Sequence, residues 1–182
     1  PDSLVLTNNS AMTTLSSTTP GEDIVSWSID PALSSGLTFN TATGEISGIP
    51  DALSVLTVYT VSATNTGGTV TATVNITVNA VTPVLSYSPD SLILTNNSAM
   101  TIFSPTTAGG DIVSWSIDPA LSSGLTFNTA NGEISGIPDA LSVLTVYTIS
   151  ATNTGGTVTA TVNITVNAVA PVLSYTPDSL VL

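Results

Sequence analysis

The stretch TVTATVNITV, residues 69–78, alternates without a break: Val70, Ala72, Val74, Ile76 and Val78 fall on one side, and Thr69, Thr71, Thr73, Asn75 and Thr77 on the other. Successive side chains of an extended chain point to opposite faces, so this period of two reads as a strand with one buried face. Just upstream, TVYTVSA (57–63) repeats the pattern with Tyr59, Val61 and Ala63 facing inward. The NTGG of residues 65–68 joins the two strands as a hairpin. Further out, IVSWSI (24–29) turns Val25, Trp27 and Ile29 inward past Ser26 and Ser28. TATGEIS (41–47) supplies a second hairpin, with Gly44 free to take the positive φ of a tight turn and Leu37, Phe39 and Ile46 feeding the core. No window of helical periodicity competes with these strands.

The whole pattern then returns. Laying Trp27 on Trp115 and Pro1 on Pro89 gives a period of 115 − 27 = 88 residues, with 78 of 88 paired positions identical, and Pro177–Leu182 open a third copy. Such a period is too long for the small solenoid repeats and close to one sandwich domain. About seven short strands per copy predict an all-β chain of tandem antiparallel β-sandwiches. The expected boundaries are 1–80 for the first repeat, with its first strand truncated, 81–168 for the second, and 169–182 for the first strand of a third. PVLSYSPDSLILT (83–95) is expected to be the first strand of the second repeat, and PVLSYTPDSLVL (171–182) is its counterpart. The first repeat has no equivalent of Val84–Tyr87 within the sequence, so residues 171–182 of one chain are expected either to complete the first repeat of another or to continue an array.

Composition removes several function classes. The 182 residues include no Lys, Arg, His or Cys, and 12 carboxylates set a formal net charge of -12, which repels nucleic acid and anionic bilayers alike. Apolar runs fall far short of the roughly 20 residues of a membrane helix. Without cysteine or lysine, neither a disulfide nor a lysine isopeptide bond can staple the core.

The segment GLTFNTATGEISGIP (36–50), written again at 124–138 with one change and followed in the first copy by VYTVSATN, resembles the immunoglobulin-like, cadherin-related tandem repeats of bacterial and archaeal surface proteins. The resemblance implies immunoglobulin-like sandwiches serving as spacers in extracellular stalks, filaments and adhesins. In that frame Trp27 and Trp115 stand on the C strand, and Tyr59-Thr60-Val61 occupies the place of a Tyr-x-Cys. Val61 and Ile149 then replace the cysteine, and Trp27, Tyr59, Val61, Trp115, Tyr147 and Ile149 form the expected structural core.

A Ser or Thr nucleophile needs a base, and with neither His nor Lys only carboxylates remain, so no enzyme and no catalytic residue is expected. The acids nearest the repeat junctions, Asp2, Asp51, Asp90, Asp139 and Asp178, are candidate calcium ligands, although Pro-Asp is first of all turn chemistry. Calcium is the one cofactor considered. Sequons make Asn8, Asn75, Asn96 and Asn163 candidate glycosylation sites, with Asn75 and Asn163 on the outward face of the last strand. The expected function is a rigid spacer of an extracellular filament, stalk or adhesin, with neighbouring copies as partners. The alternative is an adhesive module that recognises glycan or a partner surface, with or without calcium.

Overall fold

The computed structural model describes residues 3–18 and 23–174 and is all-β, with no helix among the described residues. In the first copy, β1 (Ser3–Thr7), β2 (Ser26–Asp30), β3 (Leu37–Phe39), β4 (Ile46–Gly48), β5 (Ser54–Asn65) and β6 (Gly68–Asn79) form a four-stranded sheet of order β1-β6-β5-β2 and a two-stranded sheet β3-β4. In the second, β7 (Val84–Ser86), β8 (Ser91–Thr95), β9 (Thr106–Ala108), β10 (Ser114–Asp118), β11 (Leu125–Phe127), β12 (Ile134–Gly136), β13 (Ser142–Asn153) and β14 (Gly156–Asn167) repeat that plan. They form the sheets β10-β13-β14-β8 and β11-β12, and add a third sheet, β7-β9. The copies therefore hold six and eight described strands where about seven were expected in each.

The alternating stretch forms the expected strand, but in the first copy its apolar face is buried only at Ile76 and Val78, while Val74 is half-buried and Val70 and Ala72 are exposed. β5 and β6 pair antiparallel from Thr57↔Ile76 to Asn65↔Gly68, closing the NTGG hairpin. β3 and β4 pair in the register Leu37↔Gly48, Thr38↔Ser47, Phe39↔Ile46. One pairing in each copy departs from the antiparallel expectation: β1 runs parallel to β6 and β8 parallel to β14. The first and last strands of a copy are joined by no hairpin, so nothing forces them to oppose each other.

Two details correct the sequence reading. Residues 83–95 are two strands, since β7 pairs with β9 while β8 pairs with β14. Pro89 stands between them, and a residue without an N–H cannot extend a ladder. Val25 is exposed, as is its counterpart Val113; each precedes its strand, and inward alternation begins only at Trp27 and Trp115.

The chain divides into two compact units. One runs to Pro83 and takes in Gly109–Asp111 and Asn153–Gly156; the other holds Val84–Ala108, Ile112–Thr152 and β14 from Thr157. Within the first unit, the Asn153 carboxamide donates to the Val81 carbonyl at 2.8 Å and Thr82 Oγ1 donates to the Gly155 carbonyl at 2.9 Å. Those bonds explain why Asn153 can be buried although it is polar.

In the second unit the core is one continuous cluster that includes Tyr87, Phe103, Trp115, Ile134, Ile149, Val162 and Ile164. Of the six residues expected to form the core, Tyr59, Val61, Trp115, Tyr147 and Ile149 are buried, whereas Trp27 is only half-buried. Gly132 at φ 76 lies against Trp115, and a Cβ placed there would approach the indole to 2.5 Å. Gly132→Ala therefore combines a left-handed backbone penalty with overpacking and is expected to cost about 2–4 kcal/mol. The equivalent Gly44→Ala is expected to cost less, because Trp27 is only half-buried and has room to move. Urea unfolding followed by tryptophan fluorescence, in chains retaining only Trp115 or only Trp27, checks both values.

Candidate functional site

The two copies differ most where their letters agree. In the second unit, Val158 and Ala160 are half-buried and Val162 is fully buried; in the first, the same residues at Val70 and Ala72 are exposed and Val74 is half-buried. Trp115 is 9 % exposed, whereas Trp27 remains half-buried. Together with Leu15, Gly44 and Ile46, the less buried residues of the first unit line a groove of about 380 Å³. Its floor is made by Ile46, Val61 and Ala63, all buried. The apolar walls follow from the period of two, which sends the even-numbered residues of β6 to this face.

In the second unit the corresponding space is filled. β7 pairs antiparallel with β9 in the register Val84↔Ala108, Leu85↔Thr107, Ser86↔Thr106 and delivers Tyr87 into the core, 7 % exposed. Its ring lies 5.3 Å from that of Phe103, and its hydroxyl donates to the Gly132 carbonyl. Burial pushes the Tyr87 hydroxyl well above the ordinary tyrosine range. Phe103 and Gly132 correspond to Leu15 and Gly44, both of which line the groove of the first unit.

The groove carries no charge, since none of its lining residues ionises. A shallower hollow in the second unit, lined by Trp115, Leu121, Leu125 and Phe127 among others, also has no ionisable lining residue. Among the described residues, no three metal-ligating side chains gather in one place. Asp51, Asp90 and Asp139 are exposed and far apart in sequence, and Asp2 and Asp178 lie outside the described residues. The amides of Asp51 and Asp139 donate to Ser35 and Ser123, each at 3.3 Å, while the Asp90 carbonyl accepts from the Asn163 amide at 2.8 Å. These are turn and ladder bonds of the kind that Pro-Asp provides.

The four candidate glycosylation sites are half-buried. Asn8 and Asn96 donate their amides to Asn79 and Asn167 at 2.7 and 2.8 Å, and their carboxamide oxygens are shielded from solvent. Asn75 and Asn163 do not stand on an open face as expected, because β1 and β8 run alongside and place Ser3 and Ser91 opposite them.

Sequence reading listed the core residues but missed the groove. Two signals for it were available: the first repeat has no equivalent of Val84–Tyr87 within the sequence, and of the ten differences between the copies (88 − 78), five fall within residues 14–22, at positions 14, 15, 17, 20 and 22. Leu15 of that segment lines the groove, and its counterpart is Phe103.

Comparison with known proteins adds the family and the fold. A family model described as "Putative Ig domain" matches residues 2–79 and again 82–167. A search of curated protein sequences finds no match. Among solved structures, Drosophila OTK extracellular domains 3–5 superpose with a TM-score of 0.53 at 20% identity, covering 91% of this chain and 59% of that one. Sidekick-1 immunoglobulin domains 1–4 superpose at 0.52 and 15% identity, covering 90% of this chain and 46% of that one. This chain thus spans about half the length of those structures, and at such identities the likeness is one of fold.

Replacing Tyr87 tests the closure of the second unit. Tyr87→Ala is expected to lower its stability by about 3–5 kcal/mol and to shift Trp115 emission to the red. Tyr87→Phe loses one hydrogen bond, at about 0.5–1.5 kcal/mol. Because the folded hydroxyl titrates above its unfolded value of about 10, its contribution is complete below that pH and is lost progressively as pH rises above it. Urea unfolding between neutral and alkaline pH should show that decline, and Tyr87→Phe should reduce it.

Proposed function

The chain belongs to the Ig-domain family whose model matches both of its copies, and on that basis we propose that it is a structural repeat of an extracellular surface protein, acting as a spacer within a stalk, filament or adhesin. The observation that carries this reading is that one sandwich is built twice with the same registers. Trp27↔Ala63 and Ile29↔Val61 in the first copy become Trp115↔Ala151 and Ile117↔Ile149 in the second. Duplicated near-identical modules add length and lateral surface without adding a new site. The acidic surface fits an exposed, soluble array, because a net charge of -12 keeps copies from collapsing on one another non-specifically.

The residues that could carry chemistry are spread singly over turns and strand edges, whereas the residues that build the sandwich recur in both copies. Calcium and glycosylation are adjuncts to this reading. The same junction-proximal aspartates and the same sequons would serve a surface module without changing its role as a spacer.

Glycan-array and cell-surface binding by the 182-residue chain tests the spacer against the adhesive alternative. The spacer reading expects no binding above background, with or without calcium, and electron microscopy of native material should show thin stalks or filaments. Saturable binding to a glycan or a cell surface by this chain alone would replace the spacer with the adhesive module.

A further inference from the structure

The turn between β11 and β12 holds the one Asn-Gly pair of the sequence, Asn131-Gly132, whose counterpart in the first copy is Thr43-Gly44. Asn131 is exposed, while Gly132 is buried against Trp115. The Gly132 carbonyl also accepts from the Tyr87 hydroxyl, so this turn is one end of the tie that closes the second core. A chemical change at Asn131 therefore acts on a structural joint.

The carboxamide of Asn131 is folded forward along its own backbone. Its Oδ1 accepts from the Glu133 amide at 3.2 Å, and the resulting Asx turn brackets the Gly132 nitrogen. Four other asparagines among the described residues make the same local contact: Asn40 with Ala42 at 2.9 Å, Asn65 with Gly67 at 2.8 Å, Asn128 with Ala130 at 2.9 Å and Asn153 with Gly155 at 2.8 Å. In those four the intervening nitrogen belongs to Thr41, Thr66, Thr129 or Thr154, and a branched side chain crowds it. At Asn131 alone it belongs to a glycine, with no Cβ in the way.

Two hydrogen bonds act on this pair in opposite directions. The Glu133 amide donates to the oxygen on which negative charge develops when a nitrogen attacks Cγ, and so favours attack. The Gly132 amide donates to the Asn128 carbonyl at 2.8 Å, and so holds the proton that an attacking nitrogen must lose. In the closed turn the second bond dominates, because the nitrogen becomes a nucleophile only once that proton has left. Local opening of the turn releases it.

We propose that Asn131 is a self-modification site, at which the side-chain amide is converted to a carboxylate through a cyclic imide when the turn opens. The Gly132 nitrogen loses its proton and bonds to Asn131 Cγ; the Cγ–Nδ2 bond breaks, and Nδ2 takes up the proton and leaves as ammonia. The reacting groups are neighbours in one chain, so the attack needs no catalyst. Water then adds to one of the two imide carbonyls and opens the ring. Breaking the bond to Cγ gives aspartate, which keeps the backbone and an acceptor for the Glu133 amide. Breaking the bond to the main-chain carbonyl gives isoaspartate, which carries the backbone through the former side chain and adds a methylene before Gly132. That added length moves Gly132 away from Trp115 and from the Tyr87 hydroxyl and loosens the closed core. The first copy, with Thr43, is immune. The chemistry is the same whether the chain serves as a spacer or as an adhesive module.

The test incubates the 182-residue chain at mildly alkaline pH, with and without unfolding concentrations of urea, and maps it by mass spectrometry after chymotrypsin cleavage. Peptides 40–59 and 128–147 differ only in Thr43 against Asn131, so each chain carries its own control. Peptide 128–147 is expected to exchange an amide for a carboxyl at Asn131 before any other asparagine of the chain reacts, while 40–59 stays unchanged. Conversion is expected to run roughly tenfold faster in urea, the factor that a turn stability of about 1.4 kcal/mol supplies. Asn131→Thr, which copies the turn of the first unit, should abolish it and leave the fold intact. Converted chains, separated by ion exchange on their extra carboxylate, should show tryptophan emission further to the red than Asn131→Asp, which keeps the normal backbone. An Asn131 that outlasts the other asparagines overturns the proposal. So does a conversion as fast in the folded chain as in urea, and so do converted chains whose emission matches that of Asn131→Asp.

Discussion

The closed core of the second unit depends on one aromatic residue at its edge. In the second unit Tyr87 reaches the core from β7, packs against Phe103, and ties its hydroxyl to the carbonyl of Gly132 in the opposite hairpin. A single side chain thereby joins a short edge strand, the Phe103 segment and the β11-β12 turn. The closure is mainly hydrophobic, since it takes apolar area of Tyr87, Trp115 and Val162 out of water together. The hydrogen bond adds less, but it satisfies a hydroxyl that would otherwise be costly to bury. Where that aromatic is not in place, as in the first unit, identical residues of the long hairpin stay open to solvent.

The core manages without a covalent staple. Val61 and Ile149, which the family resemblance sets where a Tyr-x-Cys would carry its cysteine, pair across the sheet with Ile29 and Ile117. Substituting an aliphatic pair keeps the volume and removes any dependence on redox conditions. What remains to hold the sheets is interdigitation, and so each apolar residue facing the core matters more. Gly44 and Gly132 belong to the same economy: they let the indole lie flat on the hairpin turn, a contact that a Cβ would block.

Much of the fold was legible in the letters. The alternation of residues 69–78 announced β6, NTGG fixed the hairpin, and Gly44 did take the positive φ that its turn required, at 74°. Periodicity could not reveal that residues 83–95 split into two strands belonging to different sheets, although Pro89 marked the place. Nor could it reveal that β1 and β8 lie parallel to the last strand of each copy. Parallel pairing between the ends of a domain is a consequence of how the chain returns, and no local pattern encodes it.

Sequence alone determined which residues can face a core, because side-chain alternation is a property of the extended backbone. Tertiary structure alone decided which of them do. Val70, Ala72 and Val74 carry the same letters and the same neighbours in sequence as Val158, Ala160 and Val162, yet only the latter set is covered. Burial is set by what packs on a face, and the covering segment comes from a distant part of the chain, so the difference between a core and a groove resides in a long-range contact.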